Sequence, residues 1–168
     1  MEINVFLENT YEEYNIDEVT LYNSCKKIAD YIFSQKDIIE KSCLKDLGEN
    51  NIFFDIVLMN NEEIHRVNRD YRQKDRPTDV ITFALFADAP KEEQFVFDNE
   101  IHLGEMMISL DKIEEQSKEN NVTFDDEMHY IVAHGILHLL GFDHLTESDY
   151  NYMVDIQNKA KAILYDKI

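Results

Sequence analysis

Four short segments of the chain alternate apolar and polar residues or are continuously apolar, and we predict each to be a β-strand. The second segment is the most apolar and is rich in β-branched and aromatic residues, which favour strands. The other three are shorter and place apolar side chains at about every second position. The predicted strands cover residues 2–7, 52–59, 79–85 and 102–109.

Five other segments carry apolar residues every three or four positions, which is the period of an amphipathic α-helix. They cover residues 17–33, 61–71, 111–120, 124–140 and 147–165. Asn60 or Asn61 is suited to cap the second helix, and Thr123 is suited to cap the fourth. The polar segment 37–51 is ambiguous, although its apolar residues can place a short helical turn against the core: Ile38, Ile39, Leu44 and Leu47.

The helical periodicity also predicts which side of each of these two capped helices is buried. For the second helix the expected core residues are Ile64, Val67 and Tyr71. For the fourth helix they form a stripe of four: Met128, Val132, Ile136 and Leu139.

The order of these elements predicts an α+β fold, in which a single mixed sheet of about four strands is covered by about five helices. Strands and helices alternate, and the third and fourth strands read as a hairpin-like pair around an acidic excursion at residues 87–98. We find no internal repeat or linker, so residues 1–168 are predicted to form one domain.

The composition is that of a globular protein, with 44% hydrophobic and 30% charged residues. No apolar run approaches the roughly 20 residues of a membrane span, and the first residues lack the basic and apolar regions of a signal peptide. The two cysteines, Cys25 and Cys43, form no metal-binding pair and are expected to stay reduced. These features favour the cytoplasm and give no reason to expect a membrane partner.

Three histidines near the C-terminal end are spaced as metal ligands, in the segment His-Gly-Ile-Leu-His-Leu-Leu-Gly-Phe-Asp-His at residues 134–144. His134 and His138 stand four residues apart, so both rings project from one face of a helix. Gly141 is suited to end that helix, which lets the chain turn and bring His144 towards the other two. Three imidazoles without a fourth protein ligand are typical of a catalytic zinc site with an open position.

The same segment resembles the metzincin protease pattern H-E-x-x-H-x-x-G-x-x-H, but it departs from that pattern at one position. Gly135 stands where those proteases have the glutamate that acts as general base. The segment therefore predicts a metal hydrolase with three histidine ligands that is not a peptidase.

Three segments together resemble the YbeY family, the bacterial metal-dependent endoribonucleases of ribosomal RNA maturation. The first is the histidine segment, which looks like the signature of that family. The second, Tyr-Arg-Gln-Lys-Asp-Arg-Pro-Thr-Asp-Val-Ile-Thr-Phe at 71–83, is similar to the family's YRGKDxPTDVLSF stretch. The third, Leu-Gly-Glu-Met-Met-Ile-Ser at 103–109, resembles its LGDIxIS strand. The resemblance runs from about residue 68 to residue 144.

The resemblance implies a single-strand-specific, metal-dependent endoribonuclease that acts in 16S rRNA 3′-end maturation and in ribosome quality control. It implies one Zn²⁺ per chain on His134, His138 and His144, although three imidazoles also suit nickel or another divalent transition metal. Arg72 aligns with the arginine that the family uses at its active site, so the expected catalytic set is Arg72 with the three histidines. The implied partners are ribosomal RNA in the small ribosomal subunit and, further, ribosomal proteins or assembly GTPases.

The net charge of −19 is unusual for a nuclease, because so acidic a protein repels a bare polyanion at long range. Binding to RNA would then depend on a local cationic patch, on bound cations or on a partner that presents the substrate. All four arginines fall between residues 66 and 76 and are a candidate patch, although a solvated helix face is the favoured interpretation for Arg66 and Arg69. The charge also motivates an alternative function, a non-catalytic zinc-containing ribosome-assembly factor that contacts basic ribosomal proteins.

Several residues near the motifs have open roles. Asp143 can fix the tautomer of an imidazole by accepting its ring proton, or it can cap the turn. Three departures from the family pattern concern the substrate cleft: Gln73 replaces a glycine, Ala84 a proline and Glu105 an aspartate. The remaining histidines are not positioned by the sequence to complete the metal set: His65, His102 and His129.

Overall fold

One mixed sheet of four strands forms the centre of the computed structural model, which describes residues 1–165. The strands are β1 (Ile3–Asn9), β2 (Asn51–Met59), β3 (Val80–Phe83) and β4 (Glu100–Ser109). Their order across the sheet is β1-β2-β4-β3. The first three in that order are parallel, and β3 is antiparallel to β4 at one edge. The predicted mixed sheet and its hairpin-like pair are therefore confirmed.

The described part of the chain contains five long α-helices and two short ones. The five long helices correspond to the five that periodicity predicts, while the two short helices lie in segments that lack a clear period. In chain order the helices are α1 (Glu18–Ser34), α2 (Lys36–Lys41), α3 (Asn61–Arg72), α4 (Leu85–Asp88), α5 (Leu110–Glu119), α6 (Phe124–Leu139) and α7 (Glu147–Ala162). The α+β fold class is confirmed, and no helix among residues 1–165 is long and apolar enough to cross a membrane.

The main core lies on one face of the sheet, where β2 contributes every second residue. The buried residues of this strand are joined in one apolar cluster by side chains from α1, α6 and α7. The four predicted core positions of α6 belong to the same cluster and are fully buried: Met128, Val132, Ile136 and Leu139. This packing holds α6 against the sheet, with one of its sides left to line a cleft.

The opposite face of the sheet is covered at one end by α3. Ile64 of this helix joins Met59 and Ile81 in a second, smaller core cluster, against which Val67 is partly buried. Tyr71 was predicted to be buried, and this prediction is wrong because the side chain is 73% exposed. Its ring packs edge-on against the Phe83 ring, at a centroid distance of 5.6 Å, and the last turn of α3 extends beyond the core.

The third strand is shorter than the predicted segment 79–85, because pairing with β4 stops at Phe83. Its partner is Glu105, and the preceding residue of β4 is Gly104, where the ladder between β2 and β4 shifts register. Gly104 has a φ of +132°, and a Cβ atom there would lie 1.9 Å from the carbonyl oxygen of Phe83. The irregular backbone at Gly104 ends the pairing, and the chain enters the short α4.

Candidate metal centre

Helix α6 holds the first two histidines in its last two turns. The helix begins at Thr123, whose Oγ1 accepts a hydrogen bond from the Asp126 amide at 3.1 Å, so the predicted cap is confirmed. Three acidic residues occupy its first turn, where they complement the positive end of the helix dipole. Because its apolar stripe packs on the sheet, the rings of His134 and His138 face the cleft instead.

Gly141 ends this helix and turns the chain back, as the sequence predicts. Its φ is +92°, a left-handed conformation that glycine adopts without strain from a side chain. The Gly141 amide donates to the His138 carbonyl at 2.9 Å, and the Phe142 amide donates to the Leu137 carbonyl at 3.0 Å. This pair of bonds is the Schellman arrangement of a helix C-terminus. The turn carries His144 to the two helical rings.

The three histidines converge on one point. Their ring centroids are 4.4 Å apart for His134 and His138, 5.5 Å for His134 and His144, and 5.3 Å for His138 and His144. One nitrogen from each ring lies within 4.8 Å of the other two, and the Nε2 atoms of His134 and His138 are 2.9 Å apart. Three imidazole nitrogens at this separation fit one divalent transition-metal ion, which leaves a coordination position open.

The surroundings favour the neutral, metal-binding form of the two helical imidazoles. Burial, together with the nearby rings of His134 and His144, lowers the pKa of His138 to about 4. Burial is also the main cause that lowers the pKa of His134. Because a protonated imidazole has no lone pair for a metal, these shifts keep both nitrogens available at neutral pH.

Arg72 lines the same cleft as the three histidines, and the cleft has a volume of about 780 Å³. Arg72 is the last residue of α3, so a different element carries it to the site than carries the histidines. It is the one cationic side chain of the described residues that line the cleft. The other charged residues in the lining are acidic: Asp79, Asp88, Glu119, Glu127 and Asp143. The cleft therefore attracts cations and offers an anionic group a single arginine.

Gln73, which follows Arg72, replaces a glycine of the family pattern. This residue caps α3 in the left-handed conformation, with φ 58° and ψ 32°. The glycine that the family has at this position adopts that conformation easily, whereas a glutamine does so at a cost of about 1 kcal/mol. The backbone turn after Arg72 is thus compatible with the replacement.

The two other departures lie on different sides of the sheet. Ala84 is buried, precedes α4 and lines the cleft. Glu105 pairs in the ladder with Asp55 of β2 and Phe83 of β3, and it does not contribute to the lining of the cleft. The extra methylene of Glu105 therefore does not alter the walls of the metal cleft.

Asp143 caps the turn before His144 and does not accept a proton from an imidazole ring in this structure. Its Oδ1 accepts a hydrogen bond from the backbone amide of His144 at 2.7 Å. The ring of His134 has another partner, because its Nδ1 lies 3.3 Å from Oε1 of Gln157 in α7. Of the two roles that the sequence leaves open for Asp143, the structure records the turn cap.

The remaining histidines lie outside the cluster of three. His65 pairs with Asp75, and His102 pairs with Asp55, each at 2.7 Å. His129 is buried in α6, where burial lowers its pKa and its Nδ1 has no hydrogen-bond partner among the described residues. The expectation that none of these joins the metal set agrees with the one cluster of possible ligands found in residues 1–165.

Gly135 is buried at the contact between α6 and β4. A Cβ atom at this position would lie 2.8 Å from Sδ and 2.9 Å from Cε of Met106. The position at which metzincins carry their glutamate therefore points into the core of this protein. A glutamate placed there would collide with the Met106 side chain at its first side-chain atom.

Several cleft residues were missed by the sequence analysis. Gln157 follows His134 by 23 residues, and Asp79 and Glu127 belong to no metal-binding motif. Asn120 Nδ2 donates to Glu127 Oε2 at 3.1 Å, which ties the end of α5 to the first turn of α6. The only sequence signal for Gln157 is a polar residue among the apolar positions of α7, and such a signal does not show which residue it contacts.

Comparison with known proteins adds independent information. The sequence model described as Endoribonuclease YbeY matches residues 6–164. A protein named Endoribonuclease YbeY from Fusobacterium nucleatum is 37% identical over 153 residues, which are 91% of this chain and 86% of that protein. One of the same name from Bacillus cytotoxicus is 38% identical over 136 residues, or 80% of this chain and 85% of the relative.

A solved structure shares the fold. The solution structure of TM1509 from Thermotoga maritima superimposes with a TM-score of 0.55 and 27% sequence identity, and the match covers 97% of this chain and 89% of that one. The family model spans nearly the whole chain, and it includes all three clustered histidines and Arg72. The chain therefore belongs to the YbeY family.

Proposed function

We propose that this protein is a zinc-dependent endoribonuclease that cleaves single-stranded RNA and acts in 16S rRNA 3′-end maturation and ribosome quality control. Family membership supports the reaction class, since the relatives are named endoribonucleases. The observation that carries the proposal is the convergence of His134, His138 and His144 beside Arg72 in one cleft. A nuclease of this kind needs a metal site and a cationic group at the same phosphate, and both are available there.

One Zn²⁺ held by His134, His138 and His144 is the proposed cofactor. Nickel or another divalent transition metal suits the same donors, and the native metal is part of what the experiment must measure. When bound, the ion supplies Lewis-acid polarisation of the phosphate and activation of water. The chain contributes neutral imidazoles on a rigid helix end and an acidic lining that concentrates cations.

Arg72 is the proposed phosphate-binding group. A guanidinium presents two parallel N–H donors that match two phosphate oxygens, so it can orient the RNA backbone over the histidines. As the phosphate gains negative charge during hydrolysis, the same guanidinium stabilises that charge. Because the other charged residues of the lining are acidic, loss of Arg72 leaves the phosphate without a cationic partner from the cleft.

The acidic surface suggests how substrate reaches the site. With a net charge of −19, the protein gains little from general attraction to RNA. We infer that the small ribosomal subunit presents the RNA, with ribosomal proteins or assembly GTPases as further contacts, and that the protein works in the cytoplasm without a membrane partner.

The test combines metal content with cleavage of a single-stranded 16S 3′-end RNA, alone and within small-subunit precursor particles. The variants are His138→Ala for the metal site and Arg72→Ala for the phosphate group. Arg66→Ala is the matched control, since Arg66 lies on the same helix and is exposed and ion-paired with Glu62. We expect stoichiometric zinc and cleavage in the wild type and in the control. His138→Ala should lose both, and Arg72→Ala should keep zinc and lose cleavage by about 100-fold or more.

Full cleavage by His138→Ala would contradict the proposal. Stoichiometric zinc without cleavage of either substrate by the wild type would favour the second candidate, a non-catalytic zinc-containing assembly factor. The observation in favour of that candidate is the strongly acidic charge, which suits basic ribosomal proteins better than RNA. Against it stands the ligand count, because structural zinc normally has four protein ligands and the described residues offer three.

A further inference from the structure

Gln157 is a buried polar residue in a helix whose inner side is otherwise apolar. Its side chain is 2% exposed, and its buried neighbours along α7 are Met153, Ile156 and Ala160. A buried amide group is costly unless it is hydrogen-bonded, so its partners indicate what it does. Gln157 has two partners, and both belong to α6: the backbone of Tyr130 and the ring of His134.

The backbone of Tyr130 determines which way the amide group points. Nε2 of Gln157 lies 3.5 Å from the Tyr130 carbonyl oxygen, which can only accept a hydrogen bond. If the amide were reversed, its own oxygen would face that carbonyl and two acceptors would oppose each other. The donor end of the amide therefore faces Tyr130, and the acceptor Oε1 faces the ring of His134.

This orientation decides which ring nitrogen of His134 carries the proton. Oε1 of Gln157 lies 3.3 Å from Nδ1, and because Oε1 only accepts, Nδ1 must be the donor. A neutral imidazole with its proton on Nδ1 has its lone pair on Nε2. That Nε2 is the atom 2.9 Å from Nε2 of His138, at the point where the three rings converge.

We propose that Gln157 is a positioning residue, which holds the ring of His134 in the Nδ1–H tautomer so that Nε2 faces the metal. The inference rests on the proposed metal site and extends it to the last long helix of the chain. Partners of this kind on metal-binding histidines typically change metal affinity by 10–100-fold when they are removed. Gln157 thus makes α7 part of the metal centre without contributing a ligand.

Two substitutions distinguish the effect of the acceptor Oε1 from the effect of the rest of the Gln157 side chain. Gln157→Leu has a similar shape and removes the acceptor that faces His134. Gln157→Glu keeps an oxygen towards Nδ1, and both variants lose the donor to Tyr130. Asn158→Ala is the matched control, because Asn158 is the next residue of the same helix and is exposed.

Zinc affinity is measured for each full-length protein by competition with a chromogenic chelator. The ring tautomers are measured in long-range ¹H–¹⁵N spectra of metal-free, histidine-labelled protein. We expect Gln157→Leu to bind zinc 10–100-fold more weakly and to lose the Nδ1–H tautomer of His134. Gln157→Glu should keep that tautomer and stay within about threefold of wild-type affinity, as should the control.

Wild-type affinity and an unchanged tautomer in Gln157→Leu would overturn the inference. So would an equal loss of affinity in Gln157→Leu and Gln157→Glu, since that would assign the effect to the Tyr130 contact. A wild-type protein that binds no zinc would contradict the proposed metal site instead. The spectra of the metal-free protein would still decide whether Gln157 sets the tautomer of His134.

Discussion

Gly135 shows how a single residue separates this metal site from the proteases that its histidine spacing resembles. Its missing side chain lets α6 pack directly on Met106 of β4. The first side-chain atom of the metzincin glutamate would have to occupy that buried contact and displace Met106. The prediction that the chain is not a peptidase therefore has a steric reason in addition to the missing general base.

We predict that Gly135→Glu does not create a peptidase and destabilises the fold by more than about 3 kcal/mol, because a carboxylate would be forced into the apolar core. Urea unfolding measures the loss in free energy of unfolding. Cleavage of an unstructured peptide by the metal-loaded protein measures the peptidase activity. Gly135→Ala is the control and should lower the free energy of unfolding by less, since the sulfur end of Met106 is flexible and can move. A stable Gly135→Glu protein with metal-dependent peptide cleavage would revive the protease hypothesis.

At the scale of elements, α3 is the helix that brings Arg72 to the cleft, and both of its ends are well defined. At its start, Asn60 accepts from the Glu63 amide at 2.9 Å, and the Glu63 side chain accepts from the Asn60 amide. At its end, Gln73 is left-handed, and Asn68 Nδ2 donates to the Arg76 carbonyl at 2.8 Å. Arg72 is therefore held by local bonds even though the last turn extends beyond the core.

We predict that Asn60→Ala lowers the free energy of unfolding by about 1 kcal/mol, since the first turn of α3 loses its cap. The bonds that hold the C-terminal end of α3 do not involve Asn60, so cleavage well below the melting temperature should stay within about twofold of the wild type. Urea unfolding and the RNA assay measure the two effects, with Asn158→Ala as the exposed control. A stability equal to the wild type would show that the capping box does not stabilise α3.

At the scale of the whole molecule, the charge distribution leaves few free arginines for phosphate in the part of the chain that the structure describes. Acidic residues outnumber lysines and arginines by 35 to 16. Of the four arginines, Arg66 is paired with Glu62 and Arg69 with Asp70. Arg72 and Arg76 have no such carboxylate partner among the described residues. We predict that these two free arginines bind the RNA, with about two arginine–phosphate contacts.

This count predicts a weak dependence of RNA affinity on salt. Each phosphate contact to single-stranded RNA contributes about −0.7 to the slope of log K against log salt, so two contacts give a slope of about −1.4. Titration of a catalytically inactive His138→Ala protein with single-stranded RNA at several NaCl concentrations measures this slope. Adding Arg72→Ala should make the slope shallower by about 0.7. A slope of −4 or steeper would reveal an extended phosphate-binding surface.

The errors in the predicted elements have physical causes. The strand at 79–85 was predicted too long, because apolar residues continue after the irregular backbone at Gly104 has ended the pairing. Tyr71 was expected in the core because it has the right helical phase, but the phase does not show how far the sheet extends beneath the helix. Both errors concern where a neighbouring element ends, which periodicity does not encode.

The sequence by itself determined the order of the long elements, the α+β class and the three clustered histidines, because periodicity, caps and a turn glycine act between residues close along the chain. Thr123 and Gly141 are examples, and both behave as predicted. Only the tertiary structure decided that Gln157 meets His134, that acids line the cleft beside Arg72 and that Gly135 faces Met106. Those contacts depend on how helices pack on the sheet and on one another, and such packing joins residues that are far apart along the chain.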